Sequence, residues 1–90
     1  KVLKRHKTRK VGRYSTINEL KNKPCMDCGV RYQVWIMDFD HREGTDKTDT
    51  VSNMLIRVFR LHIIIAETNK CDVVCANCHR QRTHLRRSRG

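Results

Sequence analysis

Two matched pairs of cysteines, Cys25-x-x-Cys28 and Cys75-x-x-Cys78, constrain this chain more than any other feature of its sequence. Two residues between cysteines let one tight turn direct both sulfurs at one ion. Two such turns supply the four thiolates of a closed, tetrahedral Zn²⁺ site, which has no open position for water and is therefore structural. We predict one structural zinc ion on these four residues. The alternative is two unrelated pairs of reduced cysteines.

A chain of 90 residues needs such a crosslink. A domain of this size buries only about 60–65% of its unfolded surface and is marginal without a metal or disulfide. The basic N-terminus is not followed by an apolar stretch, so no signal peptide is expected, and no apolar run is long enough to span a membrane. Five cysteines in a non-secreted chain favour metal over disulfides, and we expect the odd one, Cys71, to be a buried small hydrophobe.

The formal charge of +11, from 20 Lys and Arg against nine Asp and Glu, favours a polyanionic partner, with nucleic acid the leading candidate. A solvated basic protein is the alternative. Residues 1–14 carry seven Lys or Arg and no acid, which predicts a basic arm that orders on DNA. Residues 15–90 are predicted to form a single domain with zinc knuckles at 25–28 and 75–78.

Capping, turn and β-propensity signals predict a mixed set of short elements within this domain. A capping box from Thr16 to Glu19 predicts the start of the first helix, and Ser52 is the predicted cap of the second. The predicted elements are a helix over 16–22, a strand over 34–39, a polar loop over 42–50, helices over 53–59 and 62–69, a strand at 73–74 and a basic helix over 76–87.

The residues between and after the cysteine pairs carry a second pattern. Asp40-His41 lies between the pairs, and the second pair belongs to Cys75-Ala76-Asn77-Cys78-His79. Together with the first cysteine pair, this combination resembles the small zinc-containing HNH endonucleases of phages and bacteria, over about residues 25–84. The resemblance implies an α+β fold with a ββα-metal (His-Me finger) core, held together by the four-cysteine zinc site and carrying extra short helices. It implies a cytoplasmic setting in a bacterium or a phage-infected host.

The resemblance also implies the roles of three residues. Asp40 and His79 would hold a catalytic divalent cation (Mg²⁺, Mn²⁺, Ni²⁺ or Zn²⁺), and His41 would be the general base that activates water. The chemistry agrees with these roles, because an imidazole can accept a proton at neutral pH and a cation with open positions can bind the scissile phosphate. One departure is clear. The family's middle Asn, which helps hold the loop and orient the base, would fall at about position 70, where this chain has Lys70 followed by Cys71. Asn69 and Asn77 are nearby alternatives, but neither falls on the expected position.

Basic residues near this pattern are the predicted DNA contacts. Arg82, three residues after His79 on the same helix face, is the candidate for a phosphate contact near the cut. Asp38 would lie on the same strand face as Asp40, where it could be an extra ligand, although a supporting or plainly solvated acid is favoured. The predicted nucleic-acid-binding residues are Arg42, Lys47, Arg80, Arg82, Arg86 and Arg87. For these except Arg82, a purely solvated role is the alternative.

These observations predict a metal-dependent endonuclease that hydrolyses phosphodiester bonds in double-stranded DNA. Whether it nicks one strand or cuts both, and whether it is a monomer or a homodimer, stays open, and no membrane partner is expected. The main alternative is a non-catalytic, zinc-containing module that binds DNA or RNA. A second alternative is an RNA- or ribosome-associated zinc protein, in which Asp40-His41 would have no role.

Overall fold

A computed structural model describes residues 12–57 and 60–89 of the chain. It has the predicted mixed α+β character, with a two-stranded antiparallel sheet surrounded by helices. The elements are α1 over residues 12–20, a 3-10 turn Val34–Ile36, β1 Met37–His41, α2 Val51–Ile56, α3 Leu61–Thr68, β2 Cys71–Cys75 and α4 Ala76–Arg89. Within the described residues, no helix has both the length and the apolar character needed to cross a membrane.

The two strands pair over their full length, from Met37 opposite Cys75 to His41 opposite Cys71. Because side chains alternate between the faces of a strand, Asp38 and Asp40 lie on one face and Met37, Phe39 and His41 on the other. Helix α4 follows β2 without a loop and packs against both strands. Because α4 packs back onto the sheet, some of its residues lie next to Asp38 and Asp40.

The core consists of two clusters of buried side chains joined by Phe39, which packs against both. One cluster contains the inner faces of α1, α2 and α3, with Met54 and Ile64 fully buried. The other surrounds the sheet and includes two of the paired cysteines, Cys25 and Cys75. A core divided in this way is small on both sides, which agrees with the expectation that the chain needs a further crosslink.

Several element boundaries differ from the sequence prediction. Thr16 does not cap a helix; it lies inside α1, where its hydroxyl donates to the carbonyl of Gly12 at 2.9 Å. Ser52 is not the cap of α2 either, because the side chain of Thr50 accepts from the N–H of Asn53 at 3.1 Å. At α2, the hydroxyl of Thr50 is thus the better-placed cap, two residues before Ser52.

The first strand also begins later than predicted and extends further. Residues Val34–Ile36 form a 3-10 turn, and β1 continues through Asp40 and His41, so both residues are held by strand pairing rather than by a loop. Residues 1–11 of the predicted basic arm lie outside the described residues, whereas 12–14 belong to α1. Residues 58 and 59, at the end of the predicted helix over 53–59, also lie outside them. Cys71 is buried, as predicted.

Candidate metal centre and acid–histidine site

The four paired cysteines converge at one end of the sheet. The sulfurs of Cys25, Cys28, Cys75 and Cys78 all lie within 4.8 Å of one another. Four thiolates at the usual Zn–S distance of about 2.3 Å would lie roughly 3.8 Å apart, so this cluster could hold a metal ion such as zinc. The convergence follows from β2, because its last residue is Cys75 and the N–H of Met26 donates to the carbonyl of Val73 in the same strand.

Backbone N–H groups prepare the sulfurs for a metal. The N–H groups of Cys28 and Cys75 donate to the Cys25 sulfur at 3.5 and 3.3 Å, and the N–H of Cys78 donates to the Cys75 sulfur at 3.4 Å. Burial by itself would raise the pKa of Cys25, but the backbone hydrogen bonds outweigh it and bring the pKa to about 6. Gly29, at φ 75°, closes the first turn. A sulfur held as a thiolate acceptor, as at Cys25, suits Zn²⁺ well.

Next to the His41–Cys71 end of the sheet, Asp40 is a buried carboxylate between two arginines of α4. It is only 4% exposed. Its Oδ1 accepts from Arg86 Nη1 at 2.9 Å, and its Oδ2 accepts from Arg86 Nη2 and Arg82 Nη1, each at 2.9 Å. Burial tends to raise the pKa of Asp40, and these charge-assisted bonds outweigh it, so the pKa lies below its usual value. Asp40 is therefore a fixed negative charge inside a basic surface.

His79 lies between the two acids of β1. Its Nδ1 is 3.0 Å from Asp38 Oδ2, and its Nε2 is 3.5 Å from Asp40 Oδ1. A carboxylate that accepts from Nδ1 fixes the tautomer with a lone pair on Nε2, on the side of Asp40. Asp38 thus contacts the ring of His79, as a supporting acid would. One carboxylate oxygen and one imidazole nitrogen are brought together from β1 and α4.

His41, at the end of β1, faces the opposite side of the strand and meets α3. Its Nε2 lies 2.8 Å from Oε2 of Glu67, a residue that is only 3% exposed. Glu67 also accepts from the N–H of Thr48 at 3.0 Å and from Lys70 Nζ at 3.0 Å. Burial alone would raise the pKa of Glu67, but these bonds lower it to about 2. The partner of His41 is therefore an ionised carboxylate.

A cavity of about 330 Å³ lies beside the acid and histidine residues of this site. Its lining includes Asp40, His41, His79, Arg86 and Lys47. Residues from β1, the following loop and α4 thus face one space, large enough for a phosphate group and water. No model of a protein family, no curated protein and no solved structure matches the chain. The residues and their geometry are therefore the basis for assigning a function.

The predicted DNA-contacting residues fall into two groups. Arg82, Arg86 and Arg42 are held by protein groups: Arg82 also pairs with Asp27 and Asp72, and Arg42 donates to the carbonyls of Cys71 and Asn69. In contrast, the side chains of Lys47, Arg80 and Arg87 are exposed. The arginine that sequence reasoning placed nearest the cut, Arg82, is therefore mainly a bridge between the first cysteine turn and Asp40.

Sequence reasoning missed Glu67, although a signal was present. Glu67 lies three residues after Ile64, which is fully buried, so the helical period places its carboxylate on the apolar face of α3. A carboxylate at such a position needs partners, because an unpaired buried charge is costly. The partner could not be named from sequence, since His41 is 26 residues away and the intervening loop has no regular pattern.

Proposed function

We propose that this chain is a metal-dependent DNA endonuclease of the HNH type, in which β1, β2 and α4 form the ββα-metal core. The observation that carries the proposal is that Asp40, His41 and His79 line one cavity together with Arg86 and Lys47. An acid, two imidazoles and two cations around one small space are the groups that phosphodiester hydrolysis requires. The formal charge of +11 favours DNA as the polyanion that brings the phosphate there.

Asp40 and His79 are the residues that would hold the divalent cation. The donor set fits, because Asp40 Oδ1 and His79 Nε2 are 3.5 Å apart and Asp38 holds the other ring nitrogen of His79. A carboxylate oxygen has two lone pairs, and Oδ1 accepts one hydrogen bond, from Arg86. When bound, a divalent cation would polarise the phosphate and stabilise the departing 3′ oxygen.

His41 is the proposed general base. It would take a proton from water as the water oxygen attacks phosphorus, while the bond from phosphorus to the 3′ oxygen breaks and that oxygen gains a proton from solvent. Lys47 and Arg86 lie where they can offset the negative charge of the phosphate. The expected products carry 5′-phosphate and 3′-hydroxyl ends.

The cysteine cluster has a structural part in the proposal. With zinc bound, it would fix the end of β2 from which α4 begins, and Cys78 directly precedes His79. Arg82 adds a second connection, since it bridges Asp27 of the first cysteine turn to Asp40. Loss of zinc would therefore separate the proposed cation ligands even though zinc takes no part in the reaction.

The test is cleavage of supercoiled plasmid by the wild-type chain with Mg²⁺, Mn²⁺, Ni²⁺ or Zn²⁺, compared with His41→Ala. We expect His41→Ala to lower the cleavage rate by about 10²–10⁴-fold, the usual contribution of a general base, with zinc content and DNA affinity unchanged. His62→Ala, which removes an exposed histidine of α3, is the matched control and should cut normally. A wild-type chain that leaves plasmid intact with all four ions would refute the proposal.

One observation favours a non-catalytic DNA-binding module as the second candidate. Both oxygens of Asp40 are engaged by Arg82 and Arg86, an arrangement that also suits a purely structural ion-pair network. Both candidates predict salt-sensitive DNA binding. Only the endonuclease predicts loss of cleavage in His41→Ala with binding intact. A preference for structured RNA over duplex DNA in competition would instead favour an RNA-associated protein.

A further inference from the structure

The side chain of Glu67 in α3 contacts His41, the loop that follows His41, and Lys70. Oε2 contacts His41 Nε2 at 2.8 Å and accepts from the N–H of Thr48 at 3.0 Å. Oε1 accepts from Lys70 Nζ at 3.0 Å, and the same Nζ donates to the carbonyl of Asp46 at 2.7 Å. One buried carboxylate therefore fastens the histidine and two points of the loop to α3.

These contacts determine which atom of His41 carries the proton. An ionised carboxylate can only accept, and the N–H of Thr48 already identifies Oε2 as an acceptor. Nε2 of His41 must therefore be the donor, which leaves the lone pair of the neutral ring on Nδ1. Within the described part of the chain, Nδ1 makes no comparable hydrogen bond, and His41 is one of the residues that line the cavity.

We infer that Glu67 is the positioning residue for the base: it holds His41 as the Nε2–H tautomer, so that Nδ1 is the atom that accepts the proton from water. This inference rests on the proposed function, because it names how the base of that reaction is held.

The geometry gives Glu67 a second effect on the same site. The loop residue Lys47, which lines the cavity, lies between Asp46 and Thr48, the two residues that Lys70 and Glu67 hold by their backbone atoms. Orientation of the base and placement of this cation are thus controlled by one side chain. A change at Glu67 is expected to affect kcat, which depends on this orientation, more than the affinity for DNA, which depends on the whole basic surface.

The experiment compares Glu67→Gln and Glu67→Ala with the wild-type chain at saturating cation. Since misplacing a reacting group by about 1 Å costs about 10²-fold, we expect kcat to fall about tenfold in Glu67→Gln, which keeps one acceptor oxygen, and about a hundredfold in Glu67→Ala. KM for DNA and zinc content should stay within twofold. Glu19→Gln, the same substitution at an exposed glutamate of α1, is the control and should leave kcat unchanged.

Two further readouts separate positioning from a general structural role. In ¹⁵N–¹H spectra, His41 should show an Nε2–H signal protected from solvent exchange in the wild type and lost in Glu67→Ala. In the His41→Ala background, Glu67→Ala should add little further loss of cleavage, because the two residues act as one unit. If Glu67→Ala does not fold, Glu67→Gln carries the comparison of kcat and of the ring signal.

Each outcome has a distinct meaning. A wild-type chain without nuclease activity would overturn the proposed function, while a protected Nε2–H signal would still support the contact between Glu67 and His41. Cleavage by the wild type with kcat of Glu67→Gln within twofold of normal would overturn the positioning role and leave the nuclease proposal intact. Losses that multiply fully in the double variant would also overturn it.

Discussion

The two ends of the small sheet differ in the residues that meet there and in how those residues are brought together. At the Met37–Cys75 end, four residues of one type converge, and the sulfurs accept hydrogen bonds from backbone N–H groups of the same turns. At the His41–Cys71 end, roughly 13 Å further along the strands, different charged residues from several elements meet around a cavity. The cluster at the first end is closed and formed by two short turns. The cluster at the second end surrounds an open cavity and is formed by several elements.

This difference between a closed cluster and an open cavity limits the role that each end of the sheet can have. With zinc bound, a closed set of four thiolates would leave no position for a substrate, so the role we propose for the cysteine end is to hold the fold. At the other end, the imidazoles of His41 and His79 are each fixed on one nitrogen by a carboxylate, Glu67 or Asp38, and each keeps a second nitrogen for another partner. Catalysis uses side chains that are held in a fixed position and still have an atom available to contact another partner. The two ends should therefore respond differently to substitution.

The largest expected effect comes from comparing two cysteines of β2. Cys71 and Cys75 are both buried, lie four residues apart on the same strand face and differ in that only Cys75 belongs to the cluster. We expect Cys75→Ser to lose zinc and unfold, because the apparent binding energy of a structural zinc, about 10–16 kcal/mol, is comparable to or larger than the stability of a small domain. Zinc content by mass spectrometry and circular dichroism provide the measurement.

Cys71→Ser is the matched control. Replacing its thiol by a hydroxyl in a buried site should cost about 1–3 kcal/mol while one zinc per chain is retained. Equal zinc content in the two variants would contradict the assignment of the cluster. Unfolding of both would mean that burial of the thiol, rather than metal binding, explains the loss of structure.

The same contrast explains how much could be read from the sequence. The cysteine turns were predictable because the geometry of each turn depends on residues close together in the chain. Asp40, His41 and His79 were proposed as site residues because they lie between and beside those turns. The arginine network on Asp40 and the contact between Glu67 and His41 were not, since each joins residues 26 to 46 positions apart. Such pairings depend on how α3 and α4 pack on the sheet, which no local pattern of the sequence specifies.

An intermediate effect is expected at Asp38. Asp38→Asn would leave an amide beside Nδ1 of His79 and remove the carboxylate that selects its tautomer. Supporting carboxylates of this kind contribute about 10–100-fold to metal affinity, so Mn²⁺ binding measured by calorimetry should weaken by that factor. Zinc content and melting temperature should be unchanged, because the side chain of Asp38 is 42% exposed.

Asp46→Asn, in the exposed loop after β1, is the control for loss of one negative charge near the site. It should bind Mn²⁺ as the wild type does. A similar weakening in both variants would mean that general electrostatic attraction, rather than orientation of His79, governs the affinity.

The smallest expected effect compares the two glycines with positive φ, one near each end. Gly29 (φ 75°) closes the first cysteine turn and Gly44 (φ 84°) lies in the loop after His41, and an added Cβ would meet nothing within 4 Å at either position. Each Gly→Ala variant should therefore cost only backbone strain, about 1–2 kcal/mol, measured by thermal unfolding. Their other consequences should differ. Gly29→Ala should speed zinc loss to a chelator and spare cleavage, whereas Gly44→Ala should lower kcat and leave zinc release unchanged. If both variants changed both rates equally, the two ends would behave as one cooperative unit, and the division of labour between a closed and an open site would be wrong.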